Sequence, residues 1–276
     1  MTAALPLPYP FDTTFMQLAL VAGLAIGVAA PLVGTFLVYR RLALMGDGIG
    51  HVAFAGVAAG FLLDVWPVWS ALLAATVGAA LLEWLRSRRH TSGDLVLALF
   101  LYSGVALGVV LTSLSDSFDT RVLGYRFGAI LTATPTDAWT TAALGLGVTV
   151  LVALTWRAHF SVLVDEDSAR VAGLPADALN LVLAVVSAVV VVASMRVVGV
   201  LLVAALMALP AGTAQRLVSS FRAALVLGAA VGAVSVVVGL SAAREWDLAP
   251  GGAIVLVSAG AFVVSALLPS RLRLGR

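Results

Sequence analysis

Nine stretches of this chain contain no Asp, Glu, Lys or Arg: 13–39, 48–63, 65–82, 95–115, 138–156, 178–195, 197–215, 223–243 and 248–270. Most have the roughly 20 apolar residues that an α-helix needs to cross a bilayer core. They are uniformly apolar rather than alternating, which excludes a β-barrel. With 62% hydrophobic and 11% charged residues, a water-soluble enzyme is excluded as well. The stretch 48–63 is the short one, and reaches spanning length only if Asp47 or Asp64 lies at or inside the membrane boundary. The expectation is an all-α integral membrane protein, a polytopic bundle of about nine transmembrane helices forming a single domain over 1–276.

The cations orient that bundle. If each stretch crosses once, one side receives Arg40, Arg41, Arg86, Arg88, Arg89, Arg157, Arg170, Arg216, Arg222, Arg271, Arg273 and Arg276. The other receives Arg121, Arg126, Arg196 and Arg244. By the positive-inside rule the twelve face the cytoplasm, with the N-terminus outside and the C-terminus inside. No cation precedes Arg40, so the basic start of a cleaved signal peptide is missing and the first segment reads as retained. The sixteen cations are all Arg, and without Lys there is no phosphate-loop lysine and no Schiff-base lysine. There is no Cys either, so transition-metal ligands must be His, carboxylate, backbone oxygen or water. The net charge of +2 indicates no particular partner, and no nucleic-acid partner is expected.

Within this apolar chain the stretch from Leu44 to Ala58 is the most informative. Asp47 and His51 are one helical turn apart, so both project from one face about 6 Å apart along the axis. A carboxylate and an imidazole converging there make half of a site for Zn²⁺ or Mn²⁺. The structural alternative is that Asp47 caps its helix and His51 bonds a neighbouring helix. His90 and His159 sit beside Arg residues and read as solvated flanks. Two connections exceed a turn. Residues 122–131 are too short to span and fit a re-entrant or interfacial helix on the outer side. Residues 160–176 hold Asp165-Glu166-Asp167, then Ala169, Gly173 and Pro175, which reads as a short cytoplasmic helix with an acidic first turn and a Gly-Leu-Pro stop. Gly46/Gly50, Gly56/Gly60, Gly104/Gly108 and Gly228/Gly232 have the four-residue spacing that lets membrane helices approach closely.

Asp47 and His51, with Gly46, Gly48, Gly50 and Gly56-Val57-Ala58, resemble the Gly-Asp-x-x-x-His signature of the permease subunits of bacterial zinc, manganese and iron ABC importers. Four further segments are similar to that family in the same order. They are Phe127-Gly128-Ala129-Ile130-Leu131, Glu166 through Ala169 to Gly173, Val198-Gly199-Val200-Leu201-Leu202 through Pro210-Ala211, and Asp247-Leu248-Ala249-Pro250-Gly251. The resemblance runs from about residue 13 to 268 and implies a multi-pass protein of the inner (cytoplasmic) membrane. It implies two copies of a cytoplasmic ABC ATPase subunit, a second copy of this chain and an extracytoplasmic metal-binding protein as partners. Asp47 and His51 would coordinate Zn²⁺, Mn²⁺ or Fe²⁺ in passage, with no cofactor held permanently. Asp165, Glu166, Asp167, Ala169 and Gly173 would form the coupling helix that docks on the ATPase. Gly50 and Ala55 depart from the Ser and Pro common in the family.

Other polar residues rank lower. Glu83 fits a boundary ion pair with Arg86, and Asp64 a carboxylate at the outer boundary beside Trp66. Pro210 removes one helical hydrogen bond and is a candidate hinge. An ion in hydrocarbon needs convergent ligands to replace its hydration shell. Uphill uptake further needs an energy source, which this chain without Lys must borrow. A proton-coupled secondary metal transporter is the alternative, and a non-transporting membrane assembly protein a further one.

Overall fold

The structure, a computed structural model, describes residues 8–87, 93–114, 134–195 and 198–268. Among them the regular elements are helices: α1 Thr14–Tyr39, α2 Met45–Leu62, α3 Pro67–Ser87, α4 Gly93–Leu114, α5 Pro135–Val164, the short α6 Glu166–Val171, α7 Ala176–Ser194, α8 Val200–Leu217, α9 Phe221–Glu245 and α10 Pro250–Leu267. Eight are long and apolar enough to cross a membrane, and α8 holds a shorter apolar stretch, Leu202–Leu217. The nine expected spans therefore appear as these eight and α8, itself 18 residues long. The outer segment 122–131 lies outside the described residues.

Burial separates the helices into centre and rim. α1, α2 and α7 are mostly enclosed, whereas under a third of the residues along the apolar windows of α3, α4, α5 and α10 are buried. The exposed positions are apolar, among them Leu73, Val77 and Leu81 in α3 and Leu107 and Val110 in α4. In a polytopic bundle such side chains meet lipid, where burying them further would bring little hydrophobic gain. Small residues draw the helices together instead. The pair Gly56/Gly60 abuts α3, Gly104/Gly108 on α4 abuts α2, and Gly46/Gly50 abuts α8. A Cβ on Gly232 of α9 would lie 2.0 Å from the Gly27 carbonyl oxygen of α1. Pro31 lacks the N–H that would have bonded that carbonyl.

The short turns are fixed by backbone bonds. α1 ends in a Schellman motif: Arg41 is left-handed with φ 61°, Leu42 N–H donates to Leu37 C=O at 2.8 Å, and Arg41 N–H donates to Val38 C=O at 3.0 Å. The same six-to-one bond closes α2, with Asp64 left-handed and Val65 donating to Gly60, and α9, with Asp247 left-handed and Leu248 donating to Ala243. Asp tolerates that conformation better than most residues with a Cβ. Asp64 is thus a helix-terminating residue, and α2 gains its spanning length by enclosing Asp47.

The start of α8 lies within the bundle. Met195, Val198 and Val200 are buried. Gly199 has φ 88° and ψ 149°, a conformation that essentially only glycine adopts. Irregular backbone at membrane depth is tolerated where protein covers it, as here.

Candidate metal path

α2 carries the candidate ligands. It begins straight after the tight turn that closes α1, and Asp47 occupies its first turn, where the positive end of the helix dipole favours a carboxylate. Gly46 and Gly50 face Ala204 and Val200 of α8, while Gly48 faces Phe100 of α4. At 100° per residue, Asp47 and His51 fall between those directions, on the face of α2 that lies between the sides turned to α4 and α8. Both are partly buried, and His51 is close enough to act on the Asp47 charge. The backbone of His51 packs on Gly104, where a Cβ would come within 2.9 Å of the His51 carbonyl carbon. Gly50 also adjoins Val191, about 22 Å along α7 from Ala176 at 1.5 Å per residue. The pair accordingly sits along the length of the bundle, partly buried rather than enclosed. Among the described residues no group of three or more His, Asp, Glu or Cys converges to hold a metal ion. Two side chains, with water or backbone oxygen, are what this face of one copy offers.

At one end of the bundle α6 forms as its sequence dictates. Asp165 is its N-cap, accepting from the amides of Asp167 and Ser168 at 3.1 Å and from the Ser168 hydroxyl. The Ser168 hydroxyl bond, then the amide bonds, hold the Asp165 carboxyl below its ordinary value. Gly173, with φ 85°, closes the helix in a second Schellman motif, as Leu174 N–H donates to Ala169 C=O and Gly173 N–H to Arg170 C=O. Ala169 packs with Val162 and Ala176 in a small apolar cluster of its own, fastening α6 to α5 and α7. The opposite face projects outward: Asp167 is exposed, and Val171 is 90% exposed.

Several side chains beneath α6 went unread or were misread in the sequence. His159 is a correction, because it is buried rather than solvated. Its Nδ1 meets the Thr155 carbonyl at 3.1 Å and its ring meets Phe36 edge-on at 5.6 Å. Neighbouring Arg residues suggested water, whereas the ring turned inward onto α1. Glu83 and Arg86 pair as expected, in a two-pronged contact of 2.8 and 2.6 Å, with Glu83 buried. Arg40 donates to the Asn180 side chain at 2.6 Å, and burial lowers its pKa from the usual guanidinium value. Asn180 carried no sequence signal beyond being a polar residue within an apolar span.

A family model, the ABC 3 transport family, matches residues 12–269. The chain belongs to the ABC 3 transport family. This family member is 30% identical over 94% of its length to the manganese import system permease protein ScaB of Streptococcus parasanguinis, covering 92% of that protein. It is 29% identical over 92% of its length to the high-affinity zinc uptake system membrane protein ZnuB of Haemophilus influenzae, covering 97% of that protein. In three dimensions it is similar to a chain of PsaBC from Streptococcus pneumoniae in complex with Fab, with a TM-score of 0.84, 28% identity and 95% of each chain covered. The all-helical, multi-pass fold is thus that of an ABC 3 transport family member.

Proposed function

We propose that this chain is the membrane permease subunit of an ATP-driven importer that carries a divalent transition metal, Zn²⁺ or Mn²⁺, with Fe²⁺ of the same ligand class. The observation that carries the reading is the Asp47–His51 pair, set one helical turn apart on the mostly enclosed helix α2 within a predominantly apolar bundle. A carboxylate and an imidazole replace part of the hydration shell of such an ion in passage. The similarity to ScaB and to ZnuB supports manganese or zinc as cargo. Two copies of the chain facing one another would double the ligand set, and the chain acts as one permease domain.

The energy comes from two copies of an ABC ATPase subunit, since this chain has no Lys to build a phosphate-binding loop. Glu166, Asp167 and Ala169 of α6, capped by Asp165 and closed by Gly173, form the coupling helix, and the exposed Val171 is the apolar side chain it offers to the ATPase. The Arg-rich face that carries α6 is cytoplasmic, with the N-terminus outside, in the inner membrane. An extracytoplasmic protein delivers the metal to the outer side. Pro210, inside α8 and leaving the Leu206 carbonyl without its usual donor, is the hinge.

The test is uptake of Zn²⁺ or Mn²⁺ by proteoliposomes holding the chain with its ATPase partner. Asp47→Ala and His51→Ala each abolish uptake on this reading while the complex still assembles. Parent-level transport by both variants refutes the ligand assignment, and uptake by the chain without any ATPase refutes the ABC mechanism in favour of a secondary transporter.

A further inference from the structure

Resting on the permease reading, we propose that Arg40 and Asn180 form the positioning link through which movement of α6 reaches the Asp47–His51 end of α2. Three observations place it. Asn180 lies on the first turns of α7, the helix into which α6 leads through Gly173 and Pro175. Its side-chain oxygen accepts from Arg40 Nη1 at 2.6 Å, joining α7 to the end of α1. Arg40 in turn opens the Schellman turn that ends at Leu42, Met45 N–H at the start of α2 donates to the Leu42 C=O at 2.9 Å, and Asp47 follows in the first turn of α2. A stiff turn of this kind moves as a unit, so displacing Arg40 displaces the start of α2.

Of the contacts along the route, this bond is the buried one with a charged donor. α6 is tied to α7 by Arg170, which pairs with Glu166 at 2.7 Å and Asp177 at 2.6 Å. All three side chains are largely solvated, and exposed pairs of this type hold little. The Val162–Ala169–Ala176 cluster is what makes α6 and α7 move together. Asn180 is buried, 4% exposed, and its bond is to a charged donor, the kind of hydrogen bond that matters most when broken. Arg40 also lies within electrostatic range of Glu166 on α6 and of Glu83. Its Nη2 is buried and makes no hydrogen bond to another described group. The guanidinium therefore has donor capacity left for a carboxylate brought nearer when α6 shifts.

The experiment compares the ratio of Mn²⁺ or Zn²⁺ transported to ATP hydrolysed in proteoliposomes holding the complete complex. Asn180→Ala and Arg40→Gln each lower that ratio by about tenfold, within the range usual for coupling between sites, with hydrolysis retained. Asn180→Asp keeps an acceptor for the guanidinium and retains the parent ratio. The Asn180→Ala/Arg40→Gln double variant loses no more than either single one. A parent-like ratio in Asn180→Ala, or losses that multiply in the double variant, overturns the link. If Asn180→Ala fails to assemble, Arg40→Gln and Asn180→Asp decide alone: equal ratios in those two overturn it. A parent complex that moves neither metal overturns the permease reading together with the link.

Discussion

Gly251 meets Val198 backbone to backbone: a Cβ on Gly251 would lie 2.2 Å from the Val198 carbonyl oxygen. The first turn of α10 thus covers the irregular segment that precedes α8. Two of the segments that resemble the metal-permease family, Val198-Gly199 and Asp247 through Gly251, are therefore one structural device. Asp247 ends α9 in a left-handed turn, Pro250 starts α10, and Gly251 admits the buried backbone.

Gly251→Ala should accordingly destabilise the bundle, and Gly34→Ala should do the same where α1 meets the Met207 carbonyl, 1.9 Å from a built Cβ. The atoms met are backbone and cannot swing aside, so each substitution is expected to cost about 3 kcal/mol, the upper end for overpacking. Gly252→Ala is the control, with nothing near its Cβ. It should be neutral or stabilising by about 0.5–1 kcal/mol, as Gly to Ala usually is inside a helix. Thermal unfolding in detergent checks all three, and equal midpoints would refute the packing account.

Glu83 and Arg86 make a second prediction. Removing the carboxylate, as in Glu83→Leu, leaves a half-enclosed guanidinium without its two bonds. The cost should be about 3 kcal/mol, near the low end for a broken buried pair because Arg86 retains some solvent. The Glu83→Leu/Arg86→Leu double variant should recover most of that loss, since no uncompensated charge remains. Denaturation midpoints of the single and double variants provide the comparison.

The N-cap of α6 gives a pH dependence whose sign is fixed by its hydrogen bonds. The Asp165 carboxyl is held below its ordinary 3.8, so the folded state prefers it ionised. Its contribution is complete above that value and disappears as the pH falls through the depressed pKa. A spin label at position 171 should report constant mobility from neutral pH down to about 4 and rising mobility below it. In an Asp165→Asn background, where the cap survives but no longer titrates, the acid rise should be missing.

Val171→Asp tests the docking face of α6. At 90% exposure the side chain supports nothing within the bundle, so stability should change by no more than about 0.5 kcal/mol. Co-purification of the ATPase subunit with the chain should fall sharply. Unaltered co-purification would show that α6 does not dock through this residue.

The membrane helices, the helical turn joining Asp47 to His51, and the acidic start and glycine stop of α6 were all legible in the sequence. Each depends on interactions between near neighbours along the chain: apolar length against bilayer thickness, a spacing of one turn, an N-cap and a left-handed glycine. His159 was misread for the same reason, because its neighbours Arg157 and Phe160 do not reveal that the ring packs on Phe36.

What residue order could not supply was the meeting of distant segments. The bond from Arg40 to Asn180, the backbone contact of Gly251 with Val198, and the enclosed start of α8 join residues far apart in the chain. Composition required this chain to enter a bilayer as helices, since no other fold hides so many apolar residues while satisfying its backbone. Packing chose which helices touch, because in lipid the decision falls to close backbone approach and a few buried polar bonds. Those contacts hold α2, with its partly buried Asp47 and His51, against α4 and α8 and set α6 against the end of the bundle.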